Sequence, residues 1–391
     1  MSGPQNAVGL AVLSLAALAA WPVSVVDEKK GAGDKPAAAK PADPFAVPDG
    51  TPKELADFIR KLKPQLTRDF GTATKAQQAI LKAAEKILAA KGNEEEIEFA
   101  VQAKMNMLQN EKQLAAFAEE LKKGGHENLA RQVRGFTLQI NLNKAKKAGP
   151  EKKKEAIGDV LKFLEATPPH PPDVGLAFTV GRLAETAGDN HLAINTYRSL
   201  AKAFGASKDK NLVEFAKTLE GVVRRLELVG KKMNIEGRLL GGAPFDWSRY
   251  TGKVVLVDFW ATWWGPCVAE IPKMKKSYDL YHGKGFDIVG LSYDRNLADL
   301  EKFAKEKNIP WAIVFGDGKP SPTFSYYGIM AIPTMILVGK DGHVVSLNVH
   351  GDNLKEELAK LLGPVEEKKE TKGAVENKQQ KDKKAEIVKK N

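Results

Sequence analysis

The sequence predicts an α/β domain with a mixed central sheet and flanking helices, preceded by an all-α helical domain. Two observations carry this. From Thr51 to about Gly230, apolar residues recur at helical spacing. Beyond Lys231, short β-branched runs (KVVLVDFW, FDIVGLSYD, WAIVFG, TMILVGKDGHVVSLNV) alternate with helical stretches at 269–281 and 297–307. A chain of 391 residues has room for both domains.

Residues 1–26 read as a signal peptide or an N-terminal membrane anchor. The apolar core from Ala7 to Ala20 has the length of a signal h-region, and Ala17-Leu18-Ala19 offers a small-x-small cleavage site. The expectation is an exported protein, periplasmic or otherwise extracytoplasmic, free or tethered to the membrane through this segment. Residues 27–48, rich in Lys, Ala and Pro, read as a flexible linker. Residues 49–230 form the helical domain. It opens with Thr51 as N-cap, Pro52 in the first helical position and Glu54 three residues after the cap. Within it Leu183-Ala184, Gly188-Asp189, Ala193-Ile194 and Tyr197 are similar to one tetratricopeptide-type helix pair; the alternative is a plain helical bundle. No chemistry is legible in this domain, and docking of a protein partner or dimerisation is its expected role. Residues 231–364 form the α/β domain, in which GKDGHV between two apolar runs predicts a hairpin turn. Residues 365–391 contain Glu, Lys and Gln but no aromatic residue and read as a disordered tail.

Composition narrows the function. Apolar residues make up 43% and charged residues 28%, ordinary for a globular protein. The net charge of +11 is spread over helices and tails without basic runs interleaved with aromatics, so no nucleic-acid partner is expected. One cysteine excludes an intrachain disulfide framework and a cysteine-based zinc site; the six scattered histidines make no metalloprotease pattern. No cofactor and no metal are implied.

The chemistry concentrates at VDFWATWWGPC, from Val257 to Cys267. Gly265 and Pro266 make a tight strand-to-helix turn, Pro266 fitting the first helical turn because its missing N–H would have no partner there. A helix N-terminus favours a thiolate. Together with GFDIVGLSYD, LEKFAKEKNIPW and YGIMAIPTMILVGKDGHVV, this segment resembles thioredoxin-fold proteins, and among them the TlpA-type thiol–disulfide oxidoreductases of the redoxin kind. The resemblance covers about a third of the chain.

The resemblance implies roles residue by residue. Such proteins carry Cys-Gly-Pro-Cys, whose first sulfur attacks a disulfide and whose second, more recessed, resolves the mixed disulfide. Here Trp264 stands at the attacking position and Cys267 at the resolving one. Asp258 matches the buried acid that passes a proton to the resolving sulfur; otherwise it is a strand-end Asp with a hydrogen-bond partner. Ile332, Pro333 and Thr334 match the cis-proline loop, which pairs with an extended substrate through its backbone. Trp263 is expected at the substrate rim, Trp260 in the core and Glu270 in solvent, with a kink at Pro272. Substrate contacts are therefore expected from Trp263, Trp264, Gly265, Pro266, Ile332 and Pro333. Three readings remain open: a redox-inactive relative that keeps a groove for protein or peptide clients, a monothiol enzyme working through Cys267 alone, and a scaffold for the helical domain.

Overall fold

The computed structural model describes residues 43–365 apart from Lys91, Gln109 and Asp317. The expected signal or anchor segment, the linker before residue 43 and the tail from residue 366 lie outside the described residues. The helical part comprises α1 (Pro52–Leu62), α2 (Phe70–Ala89), α3 (Glu94–Met107), α4 (Glu111–Lys123), α5 (Glu127–Ala145), α6 (Pro150–Ala166), α7 (Asp173–Glu185), α8 (Asn190–Gly205) and α9 (Lys210–Leu226). Two compact units divide the chain. Among the described residues, one takes in those up to Val160 with His170–Val180; the other takes in Leu161–Pro169 and those from Gly181 onward.

In the first unit, α1 opens with the expected capping box. The Glu54 N–H donates to Thr51 Oγ1 at 3.3 Å, and the Thr51 N–H donates to Glu54 Oε2 at 2.8 Å. Leu55, Ile59, Ile80, Ala83 and Ile87 bury one face each of α1 and α2 against Ala100 and Ala103 of α3. The last residues of the expected linker are engaged here: Phe45 and Val47 pack against this core, and Lys86 Nζ donates to Pro48 O at 3.3 Å. Leu114, Phe117 and Leu121 of α4 meet Leu129 and Val133 of α5 in a second cluster.

In the second unit, Gly188 at φ 80° turns the chain between α7 and α8. Gly181 lies flat on the Tyr197 ring, where a Cβ would come within 2.6 Å. Glu185 accepts the Tyr197 hydroxyl at 2.7 Å and pairs with Arg225 of α9 at 3.2 Å, both charged side chains being buried. Burial first, then the neighbouring Glu185 carboxylate, raises the Tyr197 phenol above its ordinary range.

The sheet contains β1 (Arg238–Leu239), β2 (Val254–Trp260), β3 (Phe286–Ser292), β4 (Ala312–Phe315), β5 (Thr334–Val338) and β6 (Val344–Leu347), in the order β1-β4-β3-β2-β5-β6. The β2–β3 and β3–β4 pairs are parallel; β1, β5 and β6 join antiparallel, so the sheet is mixed. The GKDGHV hairpin closes as expected, with the Gly339 N–H donating to His343 O at 2.8 Å. Flanking helices are α10 (Gly265–Tyr281), α11 (Leu297–Glu306), α12 (Pro322–Tyr326) and α13 (Gly351–Leu362).

Every residue of β2 is buried, as befits a central strand covered on both faces. Side chains alternate across a strand. Val254, Leu256 and Trp260 join α10 and α13 in one core, whereas Val255, Val257 and Phe259 join Phe324 of α12 in the other. Asp258 takes its phase from Leu256 and Trp260, which directs it to the α10 face. On the opposite face α9 docks on the turn after α12. A Cβ on Gly221 would stand 2.6 Å from the Gly328 nitrogen, and one on Gly328, at φ 55°, would stand 2.3 Å from the Val222 nitrogen. Arg224 Nε donates to Tyr326 O at 2.9 Å across the same contact.

Candidate functional site

The chain leaves β2 at Trp260 and enters α10 at Gly265, with Pro266 in the first helical turn as expected. Trp264 is the N-cap residue; its carbonyl accepts from the Cys267 N–H at 2.9 Å and the Val268 N–H at 3.2 Å. Trp264 is 40% exposed and Trp263 62%, and the two rings meet edge to face with centroids 6.1 Å apart. Trp260 is buried against Phe303 and its ring nitrogen lies over Gly290, where a Cβ would come within 2.8 Å.

Cys267, in the first turn of α10, is 3% exposed and sits in the core with Ile271 and Met274. Burial pushes its thiol up to about 12, with Asp258 and Asp294 adding to the rise and an Ala261 backbone hydrogen bond opposing it. A helix N-terminus alone would favour the thiolate; at this position desolvation wins. Asp258 is buried on the same face, and its Oδ1 has no hydrogen-bond partner among the described residues. Desolvation, then the nearby Glu270, pushes its carboxyl up to about 8, so it is largely protonated at neutral pH.

The Ile332–Pro333 bond is cis. Thr334 pairs with Phe259 in the β5–β2 register, so Pro333 stands level with the end of β2, where the chain turns toward Trp263. Thr334 Oγ1 donates to Ala331 O at 2.7 Å and braces the loop.

Two features differ from the sequence reading or escape it. Glu270, expected in solvent, is only 16% exposed and pairs with Lys273 at 2.8 Å. Its position one turn beyond Cys267 carries it over the edge of the α10 core, near Asp258. The turn before α10 is also clamped by Asp294. This buried carboxylate accepts from the Thr262 hydroxyl at 2.6 Å, the Thr262 N–H at 3.1 Å and the Ser292 hydroxyl at 2.7 Å. The available signal was the polar Ser-Tyr-Asp closing an apolar strand. Among the described residues no cluster of His, Cys, Asp or Glu is arranged to hold a metal ion, and no helix is long and apolar enough to cross a membrane.

The redoxin family model matches residues 228–362. The thiol-disulfide oxidoreductase ResA of Bacillus thuringiensis is 31% identical over 123 residues, which span 32% of this chain and 69% of that protein. The chain belongs to the redoxin family. The ResA protein of Geobacillus thermodenitrificans is 30% identical over the same shares of the two chains. Among solved structures, the thioredoxin domain of a Bacteroides vulgatus thiol-disulfide oxidoreductase is 32% identical, covering 34% of this chain and 97% of that one at a TM-score of 0.33. The redoxin domain has the thioredoxin-like fold, visible directly in its mixed sheet, its flanking helices and α10 springing from the end of β2.

In this redoxin domain Cys267 should react slowly. At pH 8 a thiol held near 12 supplies on the order of 10³-fold less thiolate than an ordinary one, before any steric hindrance. Labelling with an aromatic disulfide reagent should therefore be at least that much slower in native protein than in denaturant, and similar rates would show Cys267 to be accessible.

Proposed function

We propose that the redoxin domain binds extended segments of client proteins or peptides at the Trp263–Trp264 rim beside Pro333 and does not turn over as a dithiol oxidoreductase. One observation carries the reading: the exposed residue at the N-cap of α10 is an indole, while the chain's one sulfur of cysteine lies buried as a thiol behind it. Exchange begins with a thiolate attacking a disulfide sulfur and ends when a second thiolate expels the first. Trp264 has no sulfur to attack with. A mixed disulfide on Cys267 would find no second cysteine in the chain to release it. Strand addition at the Ile332–Pro333 loop needs no sulfur, and two exposed indoles supply the aromatic anchors that protein-binding surfaces favour. The named relatives are thiol-disulfide oxidoreductases; here the binding half of that chemistry is what the residues support.

The test is binding of a labelled, reduced and unfolded protein, followed by anisotropy. The full chain should bind, and the Trp263→Ala/Trp264→Ala double variant should bind at least tenfold more weakly, as expected when central aromatic anchors are truncated. Equal binding by both would remove the rim from the account.

Export belongs to the same proposal, supported by the apolar core from Ala7 to Ala20. Recovery of the protein with an intact Met1 from the cytosol would contradict it. The helical domain, in whose sequence no chemistry is legible, is assigned the docking of a protein partner.

A further inference from the structure

The rim does not end at Trp264. Residues four apart along α10, namely Trp264, Val268, Pro272, Lys276 and Leu280, form a ridge that winds part-way round the helix from the N-cap almost to its end. Along most of this ridge runs an open groove of about 530 Å³. Val268, Ile271, Pro272 and Leu280 give it an apolar lining. Lys275, Lys276 and Lys307 add three cations to the lining, with Asp279 its one acidic residue. Lys275 is held in place, its Nζ donating to Lys307 O at 3.0 Å, so α10 is tied to the residue after α11 beside the groove. From Trp264 to Leu280 the helix advances about 24 Å, the span of roughly seven residues of extended chain.

We infer that this groove continues the client site proposed above and selects client segments in which acidic residues alternate with apolar ones. The inference rests on that reading of the rim, because a segment anchored at Trp264 is what the ridge would guide along α10. Charge complementarity decides the occupant. Apolar side chains fit the apolar lining, and carboxylates meet the exposed Lys276 and Lys307, whereas a basic segment would meet three like charges and one acid.

Three labelled peptides with identical apolar residues, differing only in carrying Glu, Gln or Lys at their polar positions, test this by anisotropy on the full chain at low salt. The Glu peptide should bind roughly tenfold more tightly than the Gln peptide, the size of effect two or three exposed ion pairs support, and the Lys peptide most weakly. Lys276→Glu with Lys307→Glu, both exposed positions, should reverse the order. An order unchanged in that variant, or no preference for Glu in the native chain, overturns the inference. If the Gln peptide loses affinity on Trp263→Ala/Trp264→Ala yet ignores the lysine changes and no Glu preference exists, the rim stands and the groove falls. If no peptide binds at all, both fall. Binding of laurate without binding of the Glu peptide would make the groove an amphiphile site and overturn the inference.

Discussion

Replacing Glu185 with Ala should destabilise the unit that holds the sheet by about 3–5 kcal/mol, the usual cost of leaving one member of a buried ion pair without its partner. Glu185 and Arg225 are both buried, the contact runs through Arg225 Nη2, and Arg225 Nε has no hydrogen-bond partner among the described residues. Removing the carboxylate strands the guanidinium and also releases the Tyr197 hydroxyl, since Glu185 holds both. Tyr197→Phe, which removes one hydroxyl and leaves the ion pair, should cost only about 1–2 kcal/mol. Urea unfolding followed by circular dichroism measures both. A Glu185→Ala loss no larger than that of Tyr197→Phe would mean that α7, α8 and α9 are not joined through this network.

Asp258 should make the protein less stable as pH rises through neutrality. Its carboxyl is pushed from 3.8 up to about 8 by burial. Between those values the unfolded chain has released the proton that the folded chain still holds. The contribution is therefore fully present below pH 4 and is lost progressively up to about pH 8. Between pH 5 and pH 8 the change attributable to this group is about 3–4 kcal/mol. Asp258→Asn cannot titrate, so the stability difference between variant and native protein should swing by that amount in favour of Asn as pH rises. The Asn side chain has its own cost of burial, but that cost is independent of pH. Parallel pH–stability curves for the two proteins would show that Asp258 ionises normally in the fold.

The elements that local chemistry dictates were legible in the sequence. The Thr51–Glu54 box, the all-apolar β2 and the Gly339–His343 hairpin each declare themselves within a few residues. The cis bond at Pro333 and the burial of Asp258 and Cys267 followed from the family resemblance, carried by two separate segments of the α/β domain. What escaped depends on contacts distant in sequence. Gly221 and Gly328 permit α9 to touch the turn after α12, yet a glycine advertises no partner. Glu270 reads as a solvated helix residue because nothing local shows that the first turns of α10 lie near Asp258. The Asp294 clamp on Thr262 joins two segments thirty-two positions apart, and neither is unusual alone. The two-residue strand β1 is too short to give a periodicity.

The most direct measurement of the central claim is catalysed reduction of insulin disulfides with a small dithiol as electron donor, run on the native chain beside Trp264→Cys and a protein-free blank. The variant places a sulfur at the exposed N-cap of α10, three residues before Cys267, with Asp258, Gly265, Pro266 and the cis-proline loop unchanged. Trp264 is 40% exposed, so its removal should cost much less than the roughly 3–5 kcal/mol of truncating a buried tryptophan. The native chain should match the blank, and Trp264→Cys should accelerate reduction at least tenfold over it, the gain expected when an exposed thiolate at a helix N-terminus acquires a resolving partner. Catalytic turnover by the native chain at a rate comparable with the variant would contradict the account.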